Sequence, residues 1–180
     1  CANRTMGYEI AAQELCDIMI EHKISKSNWT LQDSVSGLGA ISGQYLAVSE
    51  NACAIFKAPV MPDKLDQLTY VMTQEAVRLG VPAGTDWRFG LAANDCPVSA
   101  PVELIQDLDP VCQELFKLVS LTDVIDQAVA CAKAAGRMLA IASGGENPEI
   151  EPVIGKPLTV SAMTDTYKTV CQNMDFRAYQ

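Results

Sequence analysis

Apolar residues recur at intervals of three and four along nearly the whole chain, and that spacing commits it to helices before anything else is considered. Tyr8, Ala11, Leu15, Ile18 and His22 define one face of a first helix, widened by Cys16 and Met19 and expected to end near Lys23. Thr30-Leu31-Gln32-Asp33 has a hydroxyl followed three residues later by a carboxylate, the pattern of a helix N-terminal cap. Leu38, Ile41, Tyr45, Val48, Ala52 and Ile55 then form a seam with steps of 3, 4, 3, 4 and 3. Gly39, Gly43 and Ala47 repeat every fourth residue within it. Each interior glycine costs about 1 kcal/mol relative to alanine. Two on one face imply either a second backbone in close approach or a broken helix.

Pro62 and Asp63 open a helix whose stripe is Leu65, Leu68, Met72, Ala76 and Leu79, with Gly80 as its stop and Pro82 behind it. A short helix is expected from Pro101 to Leu108. Asp109-Pro110 then reads as the cap and first position of another, carrying Val111, Leu115, Leu118 and Val119. Ser120 to Asp123 reads as a further cap, before the longest expected helix: Leu121, Ile125, Ala128, Ala132, Ala135, Leu139 and Ala142. The small residues on that face predict close neighbours. Glu146 to Pro157 reads as an extended crossing segment, and Val160, Met163, Tyr167, Val170 and Met174 as a last helix, with a loose tail from about Asp175.

The expectation is therefore an all-α, single-domain, irregular bundle of five to seven helices spanning residues 1–180. At 180 residues and 49% hydrophobic, the chain is long enough to bury a real core. Its net charge of −9 repels phosphate backbones, so nucleic acid is not an expected partner.

Seven cysteines carry the compartment reading: Cys1, Cys16, Cys53, Cys96, Cys112, Cys131 and Cys171. A lipid-bearing Cys1, as at the start of a mature bacterial envelope lipoprotein, leaves six to pair. None sits in a CxxC and His22 is the single histidine, so a zinc or thiol-redox site is not indicated, and no metal or cofactor is expected. Cys16, Cys112, Cys131 and Cys171 fall on or beside apolar helix faces, where cysteine behaves as a small hydrophobe. Cys53 and Cys96 fall near helix ends or loops. Bridging them would close a loop worth roughly 4 kcal/mol.

The irregular stretch 81–100 contains Trp87, Arg88 and Phe89, either anchors for a partner or plugs for the end of the bundle. No acid–base pair can be read, and Asp123 and Asp126 are expected on a solvated face. The functional expectation is an extracytoplasmic helical protein-binding module, such as an inhibitor, immunity factor or envelope-complex subunit, whose acidic surface would complement a basic protein partner. Its membrane contact would come only through a lipid on Cys1. The alternatives are an intracellular subunit of an oligomer, with its small-residue faces buried between chains, and a thiol enzyme using Cys1.

Overall fold

The computed structural model describes residues 2–25, 30–49, 62–82, 101–144 and 149–177, with side chains left aside at several helix ends. Six helices are present: α1 (Ala2–Ser25), α2 (Leu31–Ser49), α3 (Pro62–Arg78), α4 (Pro101–Leu118), α5 (Val124–Ser143) and α6 (Pro152–Arg177). They pack into one bundle, and no strand occurs among the described residues. Cys1, Cys53, Cys96, Trp87, Arg88 and Phe89 lie outside the described residues, as do the side chains of His22 and Cys171. Residues 178–180 of the tail expected from Asp175 lie outside as well, and α6 itself continues through Arg177.

Neighbouring helices can be oriented from pairs of contacts. Tyr8 meets Asp126 and Cys16 meets Ala134, so α1 and α5 run in the same sense. Gly39 faces Thr159 and Gly43 faces Met163, so α2 and α6 also run together. Lys156 reaches Pro82 while Met163 reaches Thr69, which sets α3 against α6. Gly37 faces Leu104 and Leu108 while Tyr45 meets Phe116, so α4 runs with α2.

The centre is built from α2 and α5. Fifteen of the nineteen residues of α2 are buried, and a helix enclosed on almost every side has room only for small side chains on its closest faces. Gly43 shows this directly: a Cβ there would land on the Met163 carbonyl of α6, and at Gly39 it would lie 2.8 Å from the Thr159 carbonyl oxygen. The helix is continuous and the glycines admit a second backbone. Gly136 does the same for α5, where the Met72 carbonyl of α3 occupies the space a Cβ would need. Two hydroxyls buried with these faces turn back on their own helices: Ser42 donates to the Gly39 carbonyl at 3.0 Å and Thr159 to the Gly155 carbonyl at 2.7 Å.

The ends of the helices follow local chemistry. Thr30 Oγ1 accepts from the Asp33 amide at 3.0 Å, and Asp33 Oδ2 accepts from the Thr30 amide at 3.2 Å, a reciprocal cap. Gly80, at φ 112°, closes α3 with paired bonds from Gly80 N to the Val77 carbonyl and Val81 N to the Ala76 carbonyl. Ser120, at φ 58°, closes α4 the same way without being glycine, with Leu121 N donating to the Phe116 carbonyl at 2.8 Å. Asp123 caps α5, accepting from the Ile125 amide at 3.1 Å.

Several expectations are corrected. The two helices expected around Asp109-Pro110 are one, with Pro110 inside it. Buried Leu104, Ile105, Leu108, Cys112, Leu115 and Phe116 form a single stripe across the proline, and one continuous apolar face outweighs one missing hydrogen bond. That missing bond would have gone to the carbonyl of Gln106, an exposed residue. The stripe also sets the phase that turns Leu118 outward, at 79% exposure. Pro152 starts α6 at the position where a missing N–H costs nothing, so Pro157 lies in the second turn of that helix rather than in an extended segment and forgoes one backbone bond. The longest helix is α6, with 26 residues, rather than α5 with 20. Val48, on the expected seam, is exposed near the end of α2.

Candidate functional site

Two polar constellations stand out within the bundle. The first is interior. The Tyr45 hydroxyl on α2 donates to Asp109 Oδ1 on α4 at 2.5 Å, and the Tyr45 ring meets Phe116 edge-on at 6.0 Å. Asp109 thus holds a neighbouring helix instead of capping its own. Gln127 Nε2 donates to the Leu121 carbonyl at 2.9 Å, while Gln113 Nε2 reaches Gln127 Oε1 at 3.4 Å, tying α4 to α5. Burial pushes the Tyr45 hydroxyl well above its ordinary pKa. In the first turn of α5, beside Gln127, Asp126 accepts from the Tyr8 hydroxyl at 2.7 Å and is buried rather than solvated as expected.

Cys16, Cys112 and Cys131 are buried free thiols, so a framework pairing all six cysteines after Cys1 does not form. Burial pushes the Cys16 thiol up to about 12, and that of Cys131 well above its ordinary value. Such thiols are poor nucleophiles at neutral pH. The Cys16 thiol instead donates to the Ala134 carbonyl at 3.3 Å.

The second constellation lines an open groove of about 430 Å³ between α1 and α3, with α5 beneath. Glu9 comes from α1 and Lys133 from α5, while α3 supplies Tyr70, Gln74, Glu75 and Arg78 with Val71 and Val77 between them. Spacing explains the α3 set, since positions 70, 71, 74, 75, 77 and 78 lie on adjoining faces of one helix. Lys133 Nζ donates to Glu9 Oε1 at 2.5 Å. Arg78 clamps Glu75 through two bonds, Nη2 to Oε1 at 2.6 Å and Nε to Oε2 at 3.2 Å. Arg137, one turn beyond Lys133, joins the pairs: its Nη2 is 3.5 Å from Glu9 Oε2, and its Nε is 3.0 Å from Glu75 Oε1 without the alignment of a hydrogen bond.

The electrostatics follow. The Glu75 side chain is only 5% exposed, and two guanidinium groups offset the cost of burying it. The Lys133 hydrogen bond lowers the Glu9 carboxyl from its ordinary 4.5; partial burial opposes that, and the charges of Lys133, Arg137 and Arg78 reinforce it. The network holds three cations against two carboxylates. Away from it, Lys156 is sealed from solvent with Nζ on the Pro82 carbonyl at 2.7 Å, and burial lowers its pKa.

The sequence reading singled out none of the groove residues. The available signal was Lys133 and Arg137, one turn apart in a helix otherwise rich in alanine, and Glu75 three residues before Arg78. The residues it did single out, Trp87, Arg88, Phe89, Cys53, Cys96 and Cys1, lie beyond the described residues. Among the described residues no three His, Cys, Asp or Glu side chains converge to hold a metal ion, and no helix is long and apolar enough to cross a membrane. Compared with known proteins, the chain matches no family model, no curated sequence and no solved structure.

Proposed function

We propose that this chain is an extracytoplasmic helical module that binds another protein, one with a basic surface. The observation that carries the reading is the distribution of charge. Among residues of described burial, eleven carboxylate side chains are exposed, against three exposed cations, Arg78, Lys117 and Lys168. The carboxylates are ordered along the helices. Glu14, Asp17 and Glu21 share one outward face of α1, and Glu103, Asp107 and Glu114 share one of α4. Stripes of one sign steer a partner of opposite sign and quicken encounter. Trp87, Arg88 and Phe89 are the residues that would anchor it, since tryptophan and arginine dominate interface energies.

The test is cross-linking in cell-envelope extract, followed by binding kinetics on the purified partner. Replacing Glu103, Asp107 and Glu114 by their amides should slow association and flatten its salt dependence. Trp87→Ala should speed dissociation with the helical circular dichroism unchanged. Kinetics indifferent to both changes would remove the reading.

The free thiols Cys16, Cys112 and Cys131 favour a second reading, an intracellular subunit of an oligomer. The small-residue faces assigned to such an interface are occupied within the chain, Gly39 and Gly43 by α6 and Gly136 by α3. Light scattering separates the two: a stable oligomer favours the subunit, and a monomer favours the binding module.

A further inference from the structure

We infer that the groove between α1 and α3 is a binding site for a small organic anion, a carboxylate carried on a compact apolar or aromatic body. The cations at its walls have donors to spare. Lys133 spends one of its three N–H donors on Glu9, and Arg78 spends two of its five on Glu75. Glu9 faces Lys133 and Arg137 and Glu75 faces Arg78 and Arg137, so a ligand cation would meet three like charges where a ligand carboxylate meets their donors.

The charge balance points the same way. Three cations and two carboxylates leave this network positive in a chain whose net charge is −9. An anion repelled by the general surface is accepted here, where a carboxylate meets guanidinium and ammonium donors together. The apolar body has its place too. Val71 and Val77 line the groove, and Tyr70 stands at its rim with 63% of its surface exposed, offering a ring face for stacking. A volume of about 430 Å³ suits a ligand of one ring and a short acidic arm, and is too small for a folded partner. None of its lining residues belongs to the acidic stripes or the anchor residues of the protein-binding surface proposed above.

Phenylacetate is the probe, titrated calorimetrically into the full chain at low salt, with phenylacetamide and phenethylammonium as neutral and cationic counterparts. Saturable binding of one phenylacetate per chain is expected, with no heat from either counterpart. Arg78→Gln and Tyr70→Ala should each weaken it at least tenfold. Tyr70 is exposed, so Tyr70→Ala is expected to keep its helical circular dichroism; Arg78→Gln leaves buried Glu75 with Arg137, and if that loosens the fold Tyr70→Ala decides. Lys133→Gln should weaken binding as well, and if it loosens α1 the other two decide. No saturable binding of phenylacetate, equal binding of phenylacetamide, or undiminished binding by Arg78→Gln and Tyr70→Ala would each overturn the assignment.

Discussion

Substituting alanine for Gly43 asks whether the glycines of α2 exist to admit a second backbone. On helix propensity alone the change should stabilise the protein by about 1 kcal/mol. The structure reverses that sign. The new methyl would overlap the Met163 carbonyl oxygen, with the Met163 carbonyl carbon 3.1 Å away and its Cα 3.3 Å away. These are backbone atoms of a neighbouring helix, so no rotamer change relieves the overlap and α2 and α6 must part. Overpacking a core costs about 1–3 kcal/mol, and a rigid neighbour places this site at the upper end. Offsetting about 3 by the propensity gain leaves a net loss of about 2 kcal/mol.

Neighbouring glycines provide an internal scale. Gly39→Ala should also destabilise, because its methyl meets the Thr159 carbonyl oxygen at 2.8 Å and Cγ2 at 2.9 Å. Gly37→Ala should be nearly neutral, since its methyl meets the movable Cδ1 of Leu108 at 3.1 Å and Leu104 Cβ at 3.3 Å, a mild crowding that the propensity gain of about 1 kcal/mol offsets. Urea unfolding followed by circular dichroism measures the series. With a slope of about 2 kcal/mol per molar, the Gly43 variant should unfold about 1 M earlier than the parent. A Gly43→Ala protein as stable as the parent, or a Gly37→Ala protein less stable than it, would refute the reasoning.

Thr30→Ala removes the side-chain acceptor of the α2 cap and should lower stability by about 1 kcal/mol in the same assay. Ser120→Gly should raise it by about 1 kcal/mol, because Ser120 holds a left-handed conformation that glycine adopts without a Cβ penalty. The folded Glu9 carboxyl titrates below its unfolded value, so its contribution is complete above pH 4.5 and is lost as pH falls through the folded pKa. Glu9→Gln should therefore lose stability at pH 7 and lose less than the parent on acidification to pH 3, as read from urea midpoints. Alkylation under native conditions should spare Cys16, Cys112 and Cys131, and denaturation should expose all three to the reagent, as peptide mapping would show.

The helices and most of their ends were determined by the sequence alone, because periodicity and capping act over a few residues. The reciprocal cap at Thr30 and Asp33 and the stop at Gly80 could be read from side-chain chemistry, since each is completed within six residues. Only tertiary structure decided what happens at Pro110. Local chemistry there favours a break, and a continuous buried stripe from Leu104 to Phe116 overrules it. Likewise, Asp109 and Asp126 have local roles as cap and surface residue, but each is claimed by a tyrosine from a distant helix, Tyr45 and Tyr8. The groove as an assembled site lay beyond sequence reading. Glu9 and Lys133 are 124 residues apart, and no pattern along the chain records that α1 and α3 flank the same face of α5. Local signals act through neighbouring backbone, whereas charge pairs and burial depend on which faces meet, and here the small residues of α2 and α5 decide that by letting particular helices approach.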